Sequence, residues 1–386
     1  MFYELKKLTS SKLFWVALVI LLGYLSVFIY SASTTRVDKS ANDNAKSLLS
    51  EVLQSGEPPE RIIADLNTEL NNALTVNDTE KITVYGDVLS LYSYVNLNFP
   101  NNRKSIIEDT VYNLAEEKNK ANPDKYYISS NELAIEKYNN VVPLESKFTL
   151  SGSFSYLDLM FNYTVWDYVF LAFIILISVR MFTIDRTTGT YQVINTSKKG
   201  ARGLFFKKLT ACFSVITAIL LIQAVAEIVI GIKCYGLENL GLPIQQINIF
   251  EMCPFQISIA GYFAAKFFVK LILFFMVCAA ASLISILVKK PLLSNVLGII
   301  VSCGGALLNL YFYMQYNDNQ NTEMFESTRA FLPQSLLNPL VYFNQFDYFN
   351  FFGIPVNRLA VCVSITVLVL LFCIILGYAK TGKRAK

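Results

Sequence analysis

The sequence predicts an all-α polytopic membrane protein: six transmembrane helices, with a mainly helical extracellular domain between the first two. Three observations carry that prediction. Hydrophobic residues make up 54% of the chain and charged residues only 16%, against about 25% charged in ordinary soluble domains. Six apolar stretches are each long enough to cross about 30 Å of hydrocarbon at 1.5 Å per residue. Charge also segregates: residues 31–164 hold 12 basic and 19 acidic side chains, net −7, while the remainder carries net +11. So few polar groups cannot cover a soluble surface, which excludes one ordinary globular unit.

The first stretch, Leu13–Tyr30, follows a segment in which Phe2, Leu5 and Leu8 recur every three residues opposite Lys6, Lys7 and Lys12. That spacing suits a helix lying flat at the inner interface, or a plain anchor that stops and orients the first span. Ser31-Ala32-Ser33 resembles a signal cleavage site. The 18-residue apolar core before it exceeds the roughly 7–15 residues typical of signals, so residues 1–30 are read as an interfacial helix and a retained span.

Residues 31–164 form the acidic insert. Ile62, Ile63, Leu66, Leu70, Ala73 and Leu74 recur at helical spacing, and Pro58-Pro59 stands where a helix start accepts proline. A second helix is expected through Ile106, Ile107, Val111, Leu114 and Ala115, and a third after Pro123. Gly56, Gly86 and Asn98–Asn102 punctuate them. The residues leave two roles open, a spacer covering the membrane part or a module that binds a substrate or partner.

Residues 165–386 supply the other spans: Val165–Phe182, Leu209–Ile232, Gly261–Val288, Leu292–Tyr313 and Leu359–Ala379. Orientation follows from Lys and Arg in the short connections. One side holds 15 basic residues against the acids Glu4 and Asp185; the other holds Lys233, Arg329 and Arg358 against six acids. Both termini are therefore expected in the cytoplasm and residues 31–164 outside, in a multi-pass plasma-membrane protein in contact with the lipid bilayer.

The chain has no His, which excludes His-based acid–base catalysis, Ser-His-Asp or Cys-His nucleophile activation and His-ligated zinc. Seven cysteines are dispersed without CxxC spacing, which argues against a disulfide framework or metal cluster. No catalytic or metal residues are assigned. No G-x-x-x-x-G-K-[ST] loop cradles nucleotide phosphates. Leu150-Ser151-Gly152-Ser153-Phe154 resembles an ABC signature but falls in the outer domain, away from ATP, and is read as chance.

The cytoplasmic segment 183–208 contains Asp185-Arg186-Thr187-Thr188-Gly189, then Lys198 and Arg202, then Lys207-Lys208. Its charge alone is explained by topology and anionic lipid. Together with the helix Phe2–Trp15 leading into the first span, and in this order and sidedness, it resembles the permease subunit of an ABC-2 type transporter. The likeness is to the branch with a large extracellular insert between the first two spans. Asp185 stands where that family usually has Glu, and the proline common in the following segment is missing. The resemblance implies that Phe2–Trp15 is the elbow helix and that Asp185, Arg186, Gly189, Lys198 and Arg202 belong to the region coupled to an ATPase. It also implies partners: separate ABC ATPase subunits that bind ATP, and a second permease copy or paralogue. No cofactor of the chain's own, no enzymatic activity and no nucleic-acid partner are expected.

Glu227 lies near the outer end of the third span, and Lys266 and Lys270 near the outer start of the fourth. The two lysines are four apart and share a helix face. A charge in hydrocarbon costs about 2.5–3.5 kcal/mol on insertion scales, so partners are expected. Two arrangements meet that cost: Glu227 pairs with one lysine and lines a substrate path or gate, or the lysines snorkel to outer headgroups. Residues 331–352 hold eight aromatics broken by Pro333 and Pro339. This part of the outer segment 314–358 is expected to dip into the outer leaflet as short helices, or to pack as a cap beneath the outer domain.

The leading functional expectation is the membrane subunit of an ATP-driven exporter of an amphipathic peptide, lipid or drug-like molecule. The alternative is a membrane-anchored sensor or mechanotransmission protein whose extracellular domain binds a ligand. An ion-coupled carrier fits less well, because mid-membrane acids are scarce and internal repeats absent.

Overall fold

The computed structural model describes residues 2–34, 39–149, 165–187, 200–288, 290–317 and 331–383. It is about 80% helical with almost no sheet. The chain opens with α1 (Phe2–Thr9) and α2 (Lys12–Thr34), which meet at 78°. The Trp15 indole donates to the Thr9 carbonyl at 2.5 Å, satisfying a helix-end acceptor that the bend has freed. Glu4 and Leu8 of α1 turn inward while Phe2 and Tyr3 stay exposed.

Among the described residues, five α-helices build the polar domain: α3 (Lys39–Ser55), α4 (Pro59–Thr75), α5 (Thr79–Ser93), α6 (Phe99–Lys118) and α7 (Lys125–Asn139). Asp78 caps α5 by accepting from the Lys81 N–H, and Asp124 caps α7 by accepting from Tyr126 and Tyr127. Ala45, Leu49, Leu66, Val88 and Tyr92 form the core shared by α3, α4 and α5. Two helices were not anticipated, α3 and α5. Leu74, expected on the buried face of α4, is exposed while its neighbour Ala73 is buried; one residue turns a helix by about 100°. Val111 of α6 is also exposed, and only Phe99 and Glu117 of that helix are buried.

The apolar part contains α8 (Val165–Thr187), α9 (Gly200–Cys234), α10 (Ile259–Leu287), α11 (Pro291–Asn317) and α12 (Arg358–Lys383). Four of these, α8, α9, α10 and α12, are long and apolar enough to cross a membrane. The bent pair α1–α2 qualifies only if counted as one span, and in α11 the apolar helix Pro291–Val301 is shorter. Lipid tails are as apolar as leucine, so such helices associate through close packing rather than water exclusion. The α8–α10 contact shows this, with Phe170 edge-on to Phe274 at 4.8 Å and Ser178 3.2 Å from Cys278. Those pairs advance together along both helices, so α8 and α10 are parallel. Phe213 stacks on Phe275 at 4.0 Å while Glu227 meets Lys266, so α9 runs antiparallel to α10. A Cβ on Gly298 would lie 2.8 Å from Ile175, which makes glycine the residue that lets α11 approach α8.

The aromatic segment departs from expectation. Short turns at Pro333–Leu337 and Leu340–Phe343 are present, but β1 (Tyr348–Phe351) and β2 (Ile354–Asn357) follow as an antiparallel hairpin, Tyr348 opposite Asn357 and Phe351 opposite Ile354. Its two-residue turn, Phe352-Gly353, has positive φ at both positions, matching the twist of the strands. Asn350 secures it by accepting from the Gly353 N–H at 2.8 Å.

Candidate functional site

Charged side chains gather at both ends of the bundle. At one end, Lys266 of α10 donates to Glu227 of α9 at 3.0 Å, and Lys270, one turn along, contacts both carboxylate oxygens of Asp167 in α8 at 2.8 and 3.0 Å. Gln223, one turn before Glu227, donates to its other oxygen at 2.8 Å. All five residues are buried, Asp167 completely. Two acids and two lysines thus neutralise each other across three helices. The lysines do not snorkel outward: their four-residue spacing points both into the bundle, where acids of two different helices meet them.

This end also carries the polar domain. Tyr94 donates to the Gln245 carbonyl at 2.7 Å, Gln246 to the Glu145 carbonyl at 2.7 Å and Asn239 to the Phe148 carbonyl at 2.7 Å. These bonds bind residues 94–148 to the connection between α9 and α10. Tyr126 reaches the hairpin, donating to the Tyr348 carbonyl at 3.1 Å. Burial in the connection pushes the Cys253 thiol up to about 12, so it packs as a neutral side chain.

At the opposite end, Asp185 in the last turns of α8 accepts from Lys7 of α1 at 2.8 Å and pairs with Lys208 of α9 at 2.5 Å. Lys208 also donates to the Met181 carbonyl at 2.8 Å. Asp185 and Lys208 are buried, and the Lys7 side chain is a fifth exposed. Three helices are clamped at one carboxylate. Arg202, at the start of α9, is exposed and lies 5.1 Å from the ring of Tyr378 in α12, a cation–π contact. Arg186 falls in the final turn of α8, with its side chain outside what is described; Gly189 and Lys198 lie outside the described residues.

The structure therefore brings Glu227, Lys266 and Lys270 into one cluster and adds Asp167 and Gln223, neither of which the sequence reading selected. Asp167 had a signal, an acid at the third position of a predicted span. Lys7 and Lys208 join Asp185, which is turned inward on its own chain. Among the described residues, no group of three or more His, Cys, Asp or Glu side chains could hold a metal ion. A cavity of about 350 Å³ borders the Glu227 cluster between α9 and α10. No protein-family model matches the chain, and no curated protein matches its sequence.

Proposed function

We propose that the chain is the membrane-spanning permease subunit of an ATP-driven ABC transporter, exporting an amphipathic peptide, lipid or drug-like molecule. In this reading α2, α8, α9, α10, α11 and α12 are six crossings of the plasma membrane, with the α1 end cytoplasmic and the polar domain extracellular. One observation carries it: the carboxylate of Asp185 holds α1, α8 and α9 together at the two ends of segment 188–199. A push on that segment by a partner ATPase is delivered to three helices at once. Asp185 then acts as the joint of the coupling region, while Arg186, Gly189, Lys198 and Arg202 are its candidates for ATPase contact. At the far end α9 and α10 carry Glu227, Lys266 and Lys270, so a relative shift of these helices opens or closes the cavity between them.

The test is capture of the full-length chain from its native membrane. A stoichiometric ABC ATPase and a second permease copy or paralogue are expected; recovery without any ATPase overturns the proposal. Cysteines placed at Gly189 or Lys198 should react with impermeant reagent only from the cytoplasmic side.

The hydrogen bonds from the polar domain to the α9–α10 connection favour a second reading, mechanotransmission, in which a ligand on that domain moves the same two helices. Substrate flux in sealed vesicles separates the two: ATP-driven flux supports export, and ATPase association without flux supports transmission.

A further inference from the structure

Another cavity, of about 380 Å³, opens where α9 ends beside the first turns of α3. Its charged lining is Lys39, Asp43 and Lys46 of α3, Lys233 of α9, and Glu238 just beyond. Lys46 pairs with Glu238 at 3.1 Å. Lys39 and Lys233 are exposed and form no ion pair among the described residues. Three ammonium groups therefore face two carboxylates, and the pocket is one negative charge short of balance. Lysine binds phosphate as a point charge, and a phosphodiester carries the single charge that is missing. The face of α9 leading to the pocket is apolar: Leu221, Val225, Val229 and Ile232 recur along it at helical spacing, each about half exposed. Ile232 both ends this stripe and borders the pocket. Since α9 is long and apolar enough to cross a membrane, in a bilayer its end falls at headgroup depth.

We propose that this pocket seats the phosphate of a membrane phospholipid on Lys39 and Lys233, with its acyl chains along the Leu221–Ile232 stripe. The bound headgroup links the first helix of the polar domain to the end of α9. The inference rests on α9 being a membrane crossing and goes beyond the export reading, since it requires neither transport nor an ATPase.

The test uses the full-length chain alone in dodecyl maltoside micelles, which hold no phosphate and have no sides. A negative result therefore counts against the pocket, not against the orientation or an ATPase partner. Cys234 is the reporter, because it lines the pocket partly exposed while the other described cysteines are buried. Its maleimide reaction, mapped by mass spectrometry, is compared with each protein's own lipid-free rate. Dioleoylphosphatidylglycerol should protect Cys234 saturably; dioleoylglycerol, with the same chains and no phosphate, should not. Lys39→Gln and Lys233→Gln should each raise the lipid concentration for half-protection by up to about five-fold, and both together further. Lys39→Arg with Lys233→Arg, which keeps both charges, should retain protection. No protection by dioleoylphosphatidylglycerol, equal protection by dioleoylglycerol, protection by inorganic phosphate alone, or an unchanged half-protection concentration in the double Gln variant overturns the proposal. So does protection that rises with protein concentration in the absence of lipid, which gives the face to a second copy of the chain.

Discussion

The two ends of the helical bundle solve one problem differently. At the domain-bearing end, Lys266 meets Glu227 and Lys270 meets Asp167, two lysines on two carboxylates beside an open cavity. At the α1 end, one carboxylate serves two lysines, and Lys208 keeps a backbone carbonyl as well. The first arrangement is wholly buried and spread over three helices, so a helix shift that disturbs one pair reaches the pair one turn away. The second shares one carboxylate between two ammonium groups, so losing either leaves the other in place. The polar domain offers a third level, ion pairs in water such as Lys118–Glu132 at 2.7 Å, whose side chains are about half exposed.

The comparison makes a ranking. Breaking the deepest pair should cost most. Asp167→Ala leaves Lys270 buried with its main partner gone, and removal of one member of a buried pair costs about 3–5 kcal/mol. Thermal unfolding in detergent should show a large fall, and adding Lys270→Met should recover most of it. If the single change is silent, that end is not held by charge.

Asp185→Ala should come second, at about 2–3 kcal/mol, because the Met181 carbonyl still receives the Lys208 ammonium and Lys7 turns to water or Glu4. Lys208→Met on the same background should restore stability but not coupling, since α1 stays unlinked. Unfolding midpoints read the first effect and ATP-dependent activity of the captured complex the second. A loss equal to that of Asp167→Ala removes the proposed redundancy.

Much of this contrast could be read from residues, and the unread part has a physical reason. The apolar runs and the polar domain between them follow from composition, and α4, α6 and α7 follow from periodicity and punctuation, whereas α3 and α5 do not. Glu227, Lys266 and Lys270 stood out because charge in an apolar run is expensive. Which lysine takes Glu227 did not, because it depends on α8 lying parallel to α10 and delivering Asp167 to Lys270, a matter of packing across about 100 residues. The inward turn of Asp185 was hidden for the same reason: its partners come from α1 and α9. The hairpin Tyr348–Asn357 was hidden because its proline and aromatic residues suit a membrane interface equally well and its strands do not alternate in burial; Phe352-Gly353 is its one turn signal.

Lys7→Ala should lower stability by only about 0.2–1 kcal/mol, since its side chain is a fifth exposed and its pairing is screened by solvent. Its larger consequence should be functional, because Lys7 is the tie between α1 and Asp185. Undiminished ATP-dependent activity would remove α1 from the proposed transmission path.

The smallest effect belongs to the polar domain. Glu117 accepts from the Asp124 N–H at 2.9 Å and from Lys120 at 2.6 Å, and these bonds, the backbone one foremost, hold its carboxyl below the ordinary value of 4.5. A carboxylate lowered in the folded state binds its proton more weakly there than in the unfolded chain. Its contribution is therefore complete above pH 4.5 and fades as pH falls through the lowered folded value. Amide exchange at the α6–α7 junction should be slow at pH 6 and lose protection, beyond the intrinsic pH trend, on acidification to about pH 3. Glu117→Gln should abolish that extra pH dependence while leaving the Asp167 and Asp185 effects untouched, because the Glu117 bonds run to Lys120 and Asp124 within the polar domain. An acid response of equal size in both proteins would trace it to another carboxylate, and the three-level ranking would lose its lowest rung.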